Sequence, residues 1–322
     1  MLRTRVAVLR GGPSSEYDVS MSTGAGVLGA LKELGYYTID ITVSKRGEWL
    51  IDGMVKSPAV ALMTTDVVFI AMHGAYGEDG TVQKICEMYK VPFTGSNSFP
   101  SALAFNKDTA KRVLRESGIK LPKHVKIHRD NVVDTSELAT AIKQSFGPRY
   151  VLKPTTSGSS HGVMMIDIPE ALTAAITTML EANDEFMIEE RILGVEATCG
   201  VLEQFRNEEY YSLPVIEIIP PFGHDYFSAD VKYTGETTEL CPGRFSYNEK
   251  EKIAEIARLV HTTLGLTQYS RSDFMIKGGE VYFLEVNTLP GLTPNSLFPK
   301  AAEAVGLSFN DLIDHLVKTA RI

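Results

Sequence analysis

Tryptophan occurs once and cysteine three times in these 322 residues. Cys86, Cys199 and Cys241 are widely spaced and odd in number, which fits neither a zinc pattern nor a disulfide framework and points to a reduced cytoplasm. Uninterrupted apolar runs stay well short of the roughly 20 residues that span a bilayer, so no membrane partner is expected. The amino end runs from Arg5 through Val8 to Arg10 and straight into Gly11-Gly12, a strand-length segment and not a signal peptide. A basic run is also lacking: 32 basic residues stand against 40 acidic ones, a net charge of −8. Nucleic acid is therefore not an expected partner, and any phosphate site must be built locally. There is no internal repeat and no low-complexity segment. What remains is a globular composition, 44% hydrophobic and 22% charged, long enough for two or three domains.

The densest chemistry lies in the last quarter: Arg271-Ser272-Asp273, a short apolar strand, Gly278-Gly279, a second strand, then Glu285-Val286-Asn287 and Gly291. Hard oxygen ligands suit Mg²⁺, which takes one or two carboxylates together with phosphate oxygens. A guanidinium beside them can hold a developing oxyanion. Side chains alternate along a strand, so hairpin register decides whether these groups meet. An odd-length loop, Lys277-Gly278-Gly279, places Arg271 opposite Glu285 with Asp273 and Asn287 on the same face. A two-residue Gly-Gly turn would set Asp273 and Glu285 on opposite faces. The odd loop, with a glycine at a positive-φ bulge position, is the expectation.

Residues 1–100 read as a small α/β unit. A strand at 6–9 meets Gly11-Gly12, followed by a helix with Val27, Leu28, Leu31 and Leu34 at helical spacing that ends near Gly35. Apolar runs at 39–43 and 67–71 fit parallel strands buried on both faces. Residues 101–188 read as an α+β module around the loop 155–162, which lies between strands at 151–154 and 163–166. Residues 189–322 hold further strands, an irregular stretch from 220 to 244, a helix near 249–264, the hairpin and a terminal helix over Phe309–Lys318.

Lys153 ends a strand just before Thr155-Thr156-Ser157-Gly158-Ser159-Ser160-His161-Gly162. Small residues let backbone N–H groups approach phosphate oxygens, and a lysine supplies the charge. The lysine precedes the glycines, the reverse of a Walker loop; a plain flexible turn fits the same residues. Glu189, Glu190, Ile192 and Glu196 follow an apolar strand and could hold a nucleoside, although exposed glutamates are usually only solvated. His73, Glu16 and Ser296 each have a bland alternative: a hydrogen-bonded loop histidine, and caps of the helices that follow.

Taken in order, Lys153 and its glycine loop, the two glutamates, Arg271-x-Asp273 and Glu285-x-Asn287 resemble the ATP-grasp family, and within it the D-alanine–D-alanine ligases. The resemblance covers essentially the full length, including Gly11-Gly12, Ser15-Glu16, His73-Gly74, Gly77-Glu78-Asp79-Gly80, Thr94-Gly95-Ser96, Lys232-Tyr233 and Cys241-Pro242. It implies an N-terminal Rossmann-like parallel-sheet domain (1–100) followed by two α+β ATP-grasp domains, a central lobe (101–188) and a C-terminal domain (189–322) with a lid loop and the metal site. It implies ATP-dependent ligation of two D-alanines through an acyl phosphate for peptidoglycan precursor synthesis, with Mg²⁺ or Mn²⁺, in a cytoplasmic homodimer. By this resemblance Lys107, Lys153 and Lys232 hold phosphates, and Ser160, Glu189, Ile192, Glu196 and Leu284 also bind the nucleotide. Asp273, Glu285 and Asn287 hold the metal, and Arg271 and the Gly291 amide form the oxyanion site. Glu16 takes the first ammonium group, His73 lies near the reacting carboxylate, and Ser296 and the Leu297 amide take the second carboxylate. Glu16, Ser159 and Tyr233 hydrogen-bond across the closed site, with Gly223 and Gly235 as hinges; Tyr233 favours a dipeptide over an ester product. Two positions depart from the family pattern: Ser157, where an acidic residue is common, and Glu190, where a lysine is. A ligase for another amino-acid pair and a non-catalytic ATP-binding protein are the rival readings.

Overall fold

A computed structural model of the chain describes residues 3–158, 161–221 and 237–322. The expectations for Ser159, Ser160, Lys232, Tyr233, Gly223 and Gly235 lie outside the described residues.

The first apolar run forms β1 (Arg5–Gly11), which pairs in parallel with β2 (Tyr37–Val43) and β5 (Val67–Ile70), the expected orientation. Strand β2, however, is not buried on both faces, since Tyr37 and Asp40 are exposed while Ile41 and Val43 are buried. The short antiparallel strands β3 (Trp49–Ile51) and β4 (Met54–Lys56) extend one edge, giving the order β4-β3-β2-β1-β5. At Gly11, with φ +87°, a Cβ would stand 2.5 Å from the Val43 carbonyl oxygen, so only glycine lets the chain cross the end of β2. Helix α1 (Tyr17–Glu33) then buries Val27, Leu28 and Leu31, and the left-handed Gly35 follows its end. Glu16 occupies the position before this helix and makes no side-chain cap bond, so the capping alternative is not used. Three helices follow: α2 (Pro58–Leu62), α3 (Thr81–Tyr89) and α4 (Ser98–Phe105).

Helix α5 (Lys107–Glu116), capped by the Asn106 side chain on the Thr109 N–H, sends Ala110 and Leu114 into a different core, that of the third sheet. The second sheet is antiparallel throughout, with order β6-β9-β7-β8: β6 (His124–His128), β7 (Tyr150–Pro154), β8 (Met164–Ile166) and β9 (Glu185–Glu190). Helices α6 (Thr135–Ser145) and α7 (Leu172–Ala182) cover it with Ile142, Leu172, Ile176 and Met179.

The third sheet is built on β10 (Val195–Phe205), flanked by β12 (Ile216–Ile219) and β14 (Tyr269–Lys277), with β11 (Glu208–Ser212) also paired to β10. The stretch expected to be irregular from 220 to 244 contains a short strand, β13 (Thr238–Leu240), which pairs with β12 and sets Glu239 opposite Ile218. Helix α8 (Tyr247–Thr263) begins with a capping box made by Ser246 and Glu249. Finally α9 (Leu297–Glu303) and α10 (Phe309–Lys318) return to the first sheet, where Leu312, Ile313 and Leu316 join Val27 and Leu31 in one core.

The hairpin of β14 with β15 (Glu280–Asn287) corrects the expected register. Lys277 pairs with Glu280 around a two-residue Gly278-Gly279 turn, and both glycines have positive φ, +58° and +76°. That turn alone would part Asp273 from Glu285. A register shift between Asp273 and Phe274 inserts Leu284 as an extra residue, so Phe274 faces Phe283 while Asp273 faces Glu285. The bulge inverts the alternation. Arg271 therefore stands opposite Asn287, not Glu285, and all four polar side chains reach the same face.

Candidate active site

Two clefts meet at that face. The larger, about 620 Å³, lies between the second and third sheets. Val151, Met165, Ile218, Met275 and Leu284 give it apolar walls, and Lys107, Lys153, Glu189, Ile192 and Glu196 also line it. The smaller, about 560 Å³, is lined by Glu16, His73, Glu78, Gly291, Ser296 and Leu297. Arg271, Glu285 and Leu297 line both. A minor cavity beside Gly158 and Asn287 is bounded by Lys107 and again by Glu285. Glu285 thus stands where all three spaces converge, in a position to touch groups bound in either cleft.

In the larger cleft the lysines are held by acids. Lys153 Nζ lies 2.8 Å from Glu189, and Lys111, on the buried side of α5, pairs with the other oxygen of the same carboxylate. Burial alone would raise the Glu189 pKa, but the two ammonium groups hold it down at about 2. Burial lowers Lys111 to about 8, with Glu189 opposing that shift. Both are charged at neutral pH, and this buried Lys–Glu–Lys arrangement leaves one net positive charge on the wall. Lys107 donates to the Ser157 carbonyl and lies 3.4 Å from Glu285, tying the glycine loop to the hairpin. Glu190 accepts from the Lys123 N–H at 2.9 Å, so its carboxylate is engaged with the adjoining backbone.

The acidic group on the hairpin is fully engaged. Asp273 accepts from Thr198 Oγ1 (2.6 Å), from Arg271 Nε and Nη2 (3.0 Å each) and from Asn287 Nδ2 (3.2 Å). Although burial works against its charge, Asp273 raises the Arg271 pKa further, so this cation does not titrate. Among the described residues no three His, Cys, Asp or Glu side chains group into a ready metal cage. Asp273 and Glu285 face each other with Asn287 alongside, hard oxygen donors of the kind that could hold Mg²⁺ together with phosphate oxygens.

The smaller cleft joins the first sheet to the hairpin. His73 Nδ1 faces the Leu289 carbonyl at 3.0 Å and so carries the proton, while Nε2 accepts from Thr23 Oγ1 at 2.8 Å. Burial, aided by Arg271, lowers its pKa to about 4. His73 is a neutral clamp with both nitrogens committed, so it does not act as a general base here. Glu78, assigned no role from sequence, is buried beside it and accepts from the Gly74 N–H at 2.7 Å and the Leu289 N–H at 3.4 Å. Burial first, then the nearby Glu16, raises its pKa to about 8. Ser296 makes no helix-cap bond; its Oγ meets the Thr293 N–H at 3.1 Å and Thr293 Oγ1 at 2.8 Å, beside Gly291.

Two expected results follow from these contacts. The Glu16 carboxylate is wedged between Gly74 and Gly158, and a Cβ on Gly158 would overlap Glu16 Oε2. Gly158→Ala should therefore displace Glu16 and cut turnover by about tenfold or more, since small misplacements cost up to about a hundredfold. Unaltered activity with an intact melting transition would disprove the contact. For Glu78, a folded pKa raised above the ordinary value means its stabilisation is fully present below about 4.5 and is lost as pH rises through about 8. The stability of Glu78→Gln relative to wild type should rise by about 4 kcal/mol between pH 5 and pH 9. Denaturant titrations at both pH values read this directly; a pH-independent difference would contradict it.

Comparisons with known proteins agree along the whole chain. A family described as D-ala D-ala ligase C-terminus matches residues 113–318, and D-ala D-ala ligase N-terminus matches residues 53–96. A D-alanine--D-alanine ligase of Desulforamulus reducens is 38% identical over 98% of this chain and 98% of its own length. That of Desulforudis audaxviator is 37% identical with the same coverage. Among solved structures, D-alanine--D-alanine ligase from Bacillus anthracis complexed with ATP superposes with a TM-score of 0.81 at 30% identity, over 99% of this chain and 97% of the other. VanG D-Ala:D-Ser ligase from Enterococcus faecalis gives 0.83 at 29% identity, over 98% and 99%.

Proposed function

The chain belongs to the D-alanine–D-alanine ligase family, and from that premise we propose how its residues join two D-alanines with ATP. The carboxylate of the first D-alanine attacks the γ-phosphorus of ATP, releasing ADP and forming an acyl phosphate. The amine of the second D-alanine then attacks that carbonyl, and inorganic phosphate leaves as the peptide bond closes. Both steps require charge compensation and orientation more than a strong acid or base, which suits a site in which His73 is a neutral clamp.

The larger cleft takes ATP. Its apolar walls hold the adenine, Ile192 and Leu284 among them, with Glu196 at the ribose and Glu189 aligning Lys153. Lys107 and Lys153 face the phosphates. Asp273, Glu285 and Asn287 would hold Mg²⁺, or Mn²⁺ in its place; when bound, it would neutralise phosphate charge. Asp273 already accepts four hydrogen bonds, so Asn287, the longest at 3.2 Å, is the donor that yields. In the smaller cleft Glu16 receives the first ammonium group. Arg271 and the Gly291 amide face the oxyanion, and Ser296 Oγ with the Leu297 amide receives the second carboxylate.

The observation that carries this reading is the position of Glu285 and Arg271 on both clefts at once. We place domain divisions near 100 and 188, with α4 and α5 as the connection packed on the third sheet. The product serves peptidoglycan synthesis in the cytoplasm, a compartment that suits three free cysteines. A homodimer is supported by the exposed apolar side chains Met88, Tyr89 and Phe99, which sedimentation would test.

Phosphate release with Mg-ATP across D- and L-amino acids, with products identified by mass, tests the function. D-Alanyl-D-alanine from D-alanine alone is expected. A product with D-serine in second place would move specificity toward that of the VanG enzyme, and release independent of amino acid would contradict ligation.

A further inference from the structure

Lys300 lies one helical turn beyond Ser296, and residues four apart share a helix face. Both line the smaller cleft, as does Glu239 of β13, whose Oε2 lies 2.5 Å from Lys300 Nζ. The ion pair is partly shielded, with side-chain exposures of 39% for Lys300 and 15% for Glu239. Ser296 Oγ in turn stands 2.9 Å from where a Cβ on Gly291 would lie. One face thus presents a hydroxyl beside the oxyanion amide and, one turn further on, an ammonium group.

The charges lining this cleft make that ammonium consequential. Among the described residues, its carboxyl groups are those of Glu16, Glu78, Glu239 and Glu285, and its cations are Arg271 and Lys300. Arg271 gives two of its nitrogens to Asp273 and stands at the junction with the nucleotide cleft. An amino acid entering as nucleophile must bring its own carboxylate into this acidic surround. An ammonium group has three donors; Glu239 engages one and fixes where the others point.

Resting on the ligase reading, we propose that Lys300 binds the carboxylate of the second amino acid and that Glu239 is the positioning residue that aims it. Lys300→Met keeps most of the side-chain stem and removes the charge. It should raise the second-site KM for D-alanine by about ten- to a hundredfold, the range of a charge-assisted hydrogen bond, while the first-site KM and ATP binding change little. Lys300→Arg should recover most of the loss, and Glu239→Gln should raise the same constant several-fold. D-Alaninamide, an acceptor without the carboxylate, should be used equally by wild type and Lys300→Met. Initial rates over a wide D-alanine range resolve the two constants, with ATP binding measured by calorimetry. An unchanged second-site KM, an equal rise at both sites, or a matching loss with D-alaninamide would overturn the assignment. Dipeptide formation by the wild type is scored separately, so its absence would count against the ligase reading and not against Lys300 alone.

Discussion

Arg271→Met is expected to lower ligation turnover by about 10²- to 10³-fold while ATP binding changes only a few-fold. The guanidinium is held as a fork on Asp273, with Nε and Nη2 each at 3.0 Å, so its direction is fixed before substrate arrives. A donor aimed in advance at developing charge accounts for losses of that size when removed. Arg271→Lys should recover little, because a point charge cannot satisfy both Asp273 oxygens and also reach the reacting centre. The substitution also leaves a largely buried carboxylate without its main partner, costing about 3 kcal/mol of stability. Adding Asp273→Asn should recover part of that stability and none of the turnover. Single-turnover rates at a temperature where every variant is folded separate the two effects. A variant that melts early yet turns over normally when folded would reduce Arg271 to a structural ion pair.

Glu285→Gln is the second large effect. The side chain adjoins both main clefts and the small cavity beside Lys107, and it faces Asp273 across the hairpin. If it is a metal ligand, its loss removes several kcal/mol of charge compensation, about a thousandfold in rate. ATP binding measured without metal should then be nearly unchanged, whereas its enhancement by Mg²⁺ should largely vanish. Titration of nucleotide binding with Mg²⁺ in both proteins reads this without relying on turnover. Equal enhancement in the variant would remove Glu285 from the metal set.

The hairpin illustrates what was legible in the chain and what was not. Residue types and order identified the polar face, and the glycine pair marked the turn. The register was misjudged because the alternation was assumed unbroken. The structure shows the break: buried Phe283 and Val286 are three residues apart, a spacing that a regular strand cannot bury on one face. An inserted Leu284 accounts for that spacing and delivers both Leu284 and Glu285 to the larger cleft. The parallel strand β5 was readable because a strand buried on both faces needs a continuous apolar run, whereas β2 alternates apolar and polar residues and leaves Tyr37 and Asp40 exposed. The Glu78 clamp was not readable, since a glutamate within a glycine-rich loop carries no mark of burial; its partner, the Leu289 amide, lies 211 residues away. Lys300 was missed for a similar reason. Its partner Glu239 lies on a strand too short to leave a pattern.

The central claim is that one carboxylate oxygen passes from substrate to phosphate. D-Alanine labelled with oxygen-18 in its carboxylate, incubated with Mg-ATP, tests it by mass analysis of the inorganic phosphate. Transfer of one labelled oxygen per dipeptide formed is the expected result, because the acyl phosphate's bridging oxygen leaves with phosphorus. Unlabelled phosphate released in step with dipeptide would contradict the acyl-phosphate route and, with it, the roles given to Arg271 and Glu285.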